Sequence, residues 1–240
     1  MNIIKNTSVG GERPFFASHG LTLENVTVTD GESAIKECRD VTATHCLFEG
    51  KYPFWHVHGF TVNDCRFTVD ARSALWYSSH LHMHDTVIDS PKMFREMHHL
   101  ELVNVHINDG DETFWHCSDL SLNNVKLQGG TYPFMYSQDI RVDGLDTDSK
   151  YVFQYVRNAE IRHARITTKD AFWETENVTV YDSFLNSEYL GWHSKNLKLV
   201  RCTITGTQPL CYAQNLILED CTFLPDADLA LLDLEELRFL

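Results

Sequence analysis

Leu21, Val41, Phe60, Leu81, Leu100, Leu120, Ile140, Ala159, Val178, Leu197, Leu216 and Leu237 follow one another at intervals of 19 to 21 residues. Two positions after each stands a second apolar residue: Leu23, Ala43, Val62, Met83, Leu102, Leu122, Val142, Ile161, Val180, Leu199, Leu218 and Phe239. The residue between them is polar, as at Thr22, His82, Glu101, Arg141 and Lys198, with Ile217 the exception. Alternation of period two marks a strand with one face buried. Five and seven positions after the anchor a further apolar pair recurs, for example Val26 and Val28, Cys65 and Phe67, or Cys202 and Ile204. A straight strand keeps an even spacing, so the odd step between the pairs predicts a corner. Asn25, Asp64, Asp85, Asn104, Asn124, Asp182 and Asp220 occupy it, residue types that tolerate left-handed backbone.

A second corner precedes each anchor. Its column reads Gly20, Asp40, Gly59, His80, His99, Asp119, Asp139, Asn158, Asn177, Asn196 and Asn215, and only Glu236 departs from the residues enriched at positive φ. Stacked coil on coil, these side chains are expected to hydrogen-bond along the axis. A third stretch runs Phe54–Val57, Phe114–Cys117, Phe172–Thr175 and Gly191–Ser194, with Phe-Trp-His as its recurrent theme. Three short strands and three corners per turn predict an all-β fold, a right-handed single-stranded parallel β-helix of about eleven coils of 19–21 residues. Handedness follows the rule for parallel crossovers. The expected organisation is one domain over 1–240, with 1–20 as an N-terminal capping coil and 229–240 as an incomplete C-terminal coil. Leucine-rich and helical repeats require frames these columns do not show.

Acidic residues outnumber basic ones by 34 to 20 without any basic cluster, which argues against nucleic acid as a partner. No run of eighteen apolar residues is present, so no membrane span is expected, and Met1–Phe16 lacks a secretory apolar core. Seven cysteines without CxxC spacing read as reduced thiols, and the expected location is cytoplasmic. Thirteen histidines raise the question of a metal, but no HExxH or equivalent frame supports one, and no cofactor is expected. Asp109, Asp111 and Glu112 lack the EF-hand pattern and read as a solvated turn.

Candidate chemistry gathers four residues before each anchor, in the column Glu37, His56, Tyr77, Glu96, His116, Tyr136, Tyr155, Glu174, His193 and Tyr212. The column two further on is polar throughout, so strand parity places both on the outer face. Trp55, Trp76, Trp115, Trp173 and Trp192 run beside them. One reading is a groove for an oligo- or polysaccharide. Rings take the apolar sugar face, polar groups take the hydroxyls, and His56, Tyr77, Tyr136, Tyr155, His193, Tyr212, Trp115, Trp173 and Trp192 bind substrate. The other reading is an ordinary solvated β-surface with the tryptophans in the core or at a corner, on a scaffold that binds protein. For catalysis the candidates are Glu174 and Glu176, ~7 Å apart on one strand face as inverting hydrolysis requires, or Arg95, Glu96 and His116 for lyase-type proton abstraction.

The coil geometry resembles the right-handed β-helix of the pectin lyase-like superfamily. Gly11–Phe16, Glu49–His56 and Gly206–Ala213 are similar to an uncharacterised bacterial family placed in that superfamily, over nearly the whole chain. That resemblance implies a fold and no assigned activity. Lyases of this fold use Arg with Asp-bound calcium, and no comparable Asp cluster is visible here. Members of the family run on past Leu240, so an uncapped end, truncation, or a homo-oligomer through the C-terminal coil is expected.

Overall fold

The computed structural model describes residues 2–239; Met1 and Leu240, the outer bounds expected from the sequence, fall outside them. The described residues form 21 strands joined in one sheet system, every pairing parallel and no helix among them. Leu21 pairs with Val41, Val41 with Phe60 and Phe60 with Leu81, so the apolar anchors lie atop one another as their period predicts. Thirteen strands make up this ladder, from Asn2–Glu12 to Glu235–Phe239. That is more coils than the apolar column marks, because the first rung places polar Asn2 against Leu21 at the anchor position.

Each coil holds its core by pointing two columns inward from the anchor strand and two from the strand after the first corner. Leu23, Ala43, Val62, Phe48, Phe67 and Ile88 are wholly buried. Burying one such aliphatic or aromatic side chain contributes ~1.5–3 kcal/mol, and repetition along the rod builds a continuous interior. Both corners adopt the left-handed backbone their residue types favour, for example φ 52 at Asn25, 51 at Asn124, 54 at Asn158 and 57 at Asn177. Their side chains form ladders on the outer surface. Asn158 donates to Asp139, Asn177 to Asn158, Asn196 to Asn177 and Asn215 to Asn196 at 2.7–3.2 Å.

The third stretch corrects the expectation of a third strand. Tyr132, Phe134 and Tyr136 all have positive φ (59, 68 and 60), as do Tyr52, Phe54 and His56, so left-handed residues alternate with others. In this stretch only isolated bridges form, such as Trp76 to Arg95 and Arg95 to Trp115. The zigzag nevertheless keeps its amides parallel to the axis: Tyr136 N donates to Gln154 O at 3.2 Å and Tyr155 N to Trp173 O at 2.9 Å. Left-handed backbone costs a non-glycine residue ~1–2 kcal/mol. Coil-to-coil hydrogen bonds and complete burial of Phe94, Phe114, Phe134, Phe153 and Phe172 offset that cost.

Candidate functional site

The alternating backbone decides which side chains reach the surface. In most turn stretches the Phe position points inward, the Trp position is half-buried, the Glu/His/Tyr position is exposed, and the next is buried again; around Tyr155 the ring itself is half-buried and Gln154 is buried. The Glu/His/Tyr column is therefore outside, as parity predicts, although the segment is not a regular strand. Exposed rings stack along it: His56 on Tyr77 at 5.1 Å, His116 on Tyr136 at 5.0 Å, Tyr136 on Tyr155 at 4.9 Å, and His193 on Tyr212 at 5.1 Å. The stacks stop at Glu96 and Glu174, which carry no ring. Tyr155 and His193 thus face each other across Glu174 from two rungs apart, ~10 Å.

A groove of about 410 Å³ opens at the second break, lined by His116, Tyr136, Tyr155, Glu174, Glu176 and His193, with Arg157 and Lys195 on its rim and Ser137 and Thr175 in its floor. Desolvation and the Glu174 carboxylate push the Tyr155 phenol above its ordinary pKa, so it stays a neutral hydrogen-bonding group. Arg157 approaches Glu176 at 3.6 Å. A second depression, at the first break, is lined by Glu96, Met97, His98, His116 and Ser118. A third touches His56, Tyr77, His58 and Arg39.

Trp115, Trp173 and Trp192 are not among the residues that line the groove. The indole N–H groups of Trp115 and Trp192 donate to the backbone carbonyls of Tyr132 and Gln208, both at 2.7 Å, and Trp55 and Trp76 do likewise to Ser73 and Lys92. Half-buried indoles that each close a hydrogen bond to the next coil are wall material. Trp173 differs, because its N–H points to Glu174 Oε1 at 3.3 Å. Arg95 is engaged with neighbours other than Glu96. Its guanidinium is sandwiched between Trp76 and Trp115, 4.4 and 4.7 Å from the ring centroids, and paired with Glu112 at 2.8 Å. A cation held by two indoles and a carboxylate cannot swing to Glu96 without losing all three contacts.

Arg157 and Lys195 were legible as a polar outer column but not as groove walls; the buried floor residues Ser137 and Thr175 left no sequence signal of a site. Asp109 and Asp111 accept hydrogen bonds within their own turn and from Thr131. Among the described residues no three His, Cys, Asp or Glu side chains gather to hold a metal ion, and no helix is long and apolar enough to cross a membrane.

The sequence profile of a family described as "Protein of unknown function (DUF3737)" matches residues 2–235. No curated protein matches the chain. Among solved structures it is similar to QnrB1, a plasmid-mediated fluoroquinolone resistance protein, at 10% identity and TM-score 0.29, covering 99% of this chain and 93% of that one. The A-module of the mannuronan C-5 epimerase AlgE6 from Azotobacter vinelandii gives 11% identity and TM-score 0.34, with 99% and 80% covered. HetL, a pentapeptide repeat protein involved in heterocyst differentiation regulation from the cyanobacterium Nostoc, gives 14% and 0.25, with 93% and 89% covered. Likenesses this distant carry no inference about function.

Proposed function

Because the chain belongs to the DUF3737 family, whose function is unknown, we propose from its surface alone that it binds an extended carbohydrate in the groove at Glu174. The observation that carries this reading is the break in the ring column, where Glu174 stands between Tyr155 and His193 in an open groove and His193 also packs on Trp173 at 5.6 Å. Ring faces take the C–H side of a pyranose, and Glu174, Glu176, Arg157 and Gln138 supply acceptors and donors for its hydroxyls. Trp173, the one indole turned toward the groove carboxylate, holds Glu174 in place.

The seven unbridged cysteines suit a reducing compartment such as the cytoplasm. Placement of the family within the pectin lyase-like superfamily belongs to the same proposal and rests on coil length and inward columns. Any turnover falls to Glu174 and Glu176, the two carboxylates that share the groove.

A polysaccharide array probed with the purified chain, followed by Glu174→Ala and His116→Ala, tests the reading. Binding that either substitution weakens at least about tenfold, roughly one lost hydrogen bond to a charged group, supports it. Absence of binding to every polysaccharide on the array overturns it. A soluble-sugar release assay on the bound polymers separates binding from hydrolysis.

A further inference from the structure

The same break occurs twice. Glu96 separates the His56–Tyr77 stack from the stack that begins at His116, and Glu174 separates the end of that second stack, Tyr155, from His193. Each break opens a depression, and His116 lines both, so the two adjoin along the rod. The two carboxylates stand four rungs apart, ~19 Å. Between them His116, Tyr136 and Tyr155 cover one another's faces and leave only ring edges to the solvent.

Building on the carbohydrate reading, we propose that Glu96 and Glu174 mark two equivalent subsites, and that the ligand is an uncharged, unbranched glycan long enough to occupy both. A slot two rungs wide, ~10 Å, leaves room for one sugar residue between the two rings beside the carboxylate. The column joining the two subsites is straight because every coil repeats the last, which favours an extended chain over a branched one. Charge selects against a polyanion: at the first subsite Glu96 has no free cation beside it, since Arg95 is held by Glu112 and two indoles, and the protein carries a net charge of −14. A polycation in turn meets Arg157 and Lys195 at the second subsite. Neutral hydroxyls satisfy both environments.

Glu96→Tyr and Glu174→Tyr are the informative variants, because each fills a slot by completing the ring stack. Both should fold: tyrosine already occupies this column at Tyr77, Tyr136, Tyr155 and Tyr212, with φ of 56–60 against 50 at both glutamates. The experiment is calorimetric titration with cello-, manno- and N-acetylated chito-oligosaccharides, from dimer to decamer, alongside oligogalacturonates and deacetylated chito-oligosaccharides. The wild-type chain is expected to gain about 100-fold in affinity once the oligomer bridges both slots, as a tethered second contact provides. Glu96→Tyr should abolish that step while short oligomers still bind at Glu174, Glu174→Tyr should do the converse, and the double variant should bind nothing. A smooth rise with length, or a step that survives Glu96→Tyr, overturns the two-subsite inference and leaves the carbohydrate reading standing. Preference for the acidic or the amino oligomers overturns the assignment of an uncharged ligand. No binding to any oligomer overturns the carbohydrate reading itself.

Discussion

Two ring stacks run side by side along the turn stretches, two residues apart in sequence and opposite in environment. The inner one is unbroken over five coils: Phe94, Phe114, Phe134, Phe153 and Phe172 lie 4.4–5.3 Å from their neighbours and are fully buried. The outer one has similar spacings but is interrupted by Glu96 and Glu174, and its Tyr136 is 46% exposed. Burial explains the difference. Where the inner column lacks a ring, at Leu75 and Gly191, buried aliphatic side chains such as Leu197 and Leu210 fill the space, whereas an outer gap fills with water or ligand.

The largest test of this comparison is a pair of truncations read by urea denaturation. Phe134→Ala is expected to cost ~3–5 kcal/mol, the range for a buried phenylalanine removed from a packed core. Tyr136→Ala, which removes an exposed ring from the outer stack, should cost ~1 kcal/mol or less. Equal losses would show that both stacks hold the fold and would remove the basis for treating the outer column as a binding surface.

A smaller effect separates corner chemistry from ring chemistry. Asn196 accepts from Asn215 and donates to Asn177 on the outer ladder, at φ 54. Asn196→Ala should cost ~1–2 kcal/mol, mostly from left-handed backbone forced on alanine, and Asn196→Gly should cost less because glycine adopts that conformation freely. A glycine variant as unstable as the alanine one would place the loss in the ladder hydrogen bonds instead.

Two titrations probe the sides most finely. Inside, a hydrogen bond from the Cys202 thiol lowers the Cys221 pKa to about 7 and raises that of Cys202. Cys202→Ala removes that donor, so Cys221 should titrate higher and alkylate more slowly at neutral pH, followed by mass spectrometry with iodoacetamide. Outside, desolvation and the neighbouring His58, His99, His98 and His82 push the His80 imidazole below its ordinary pKa. The unfolded chain then binds that proton more readily than the folded one. Stability therefore falls as pH drops through the ordinary histidine range, and neutralising His58→Ala should raise the His80 midpoint seen by NMR.

Much of this architecture is legible in the sequence because inward columns repeat with the coil. Leu21, Val41 and Phe60 stack as their spacing requires, and Asn25 and Asn177 mark corners because Asn is among the residue types enriched at positive φ. The third side was misread as strand. Phe54, Trp55 and His56 recur from coil to coil as a strand segment would, while their backbone alternates between left-handed and other conformations, which residue type does not encode. The candidate groove was half legible: the Glu/His/Tyr column is visible in the chain, but the fate of its neighbours is not. Arg95 and Trp115 have the composition of a site, yet indole hydrogen bonds and a cation sandwich fasten them into the wall.

By itself the sequence determined the coil period, the inward columns and the corners, since each is a local choice of residue repeated until neighbouring coils share one apolar interior. Only the tertiary structure decided which exposed side chains share a cavity. That depends on which rings in adjacent coils stack face to face, and on where a carboxylate in place of a ring interrupts the stack.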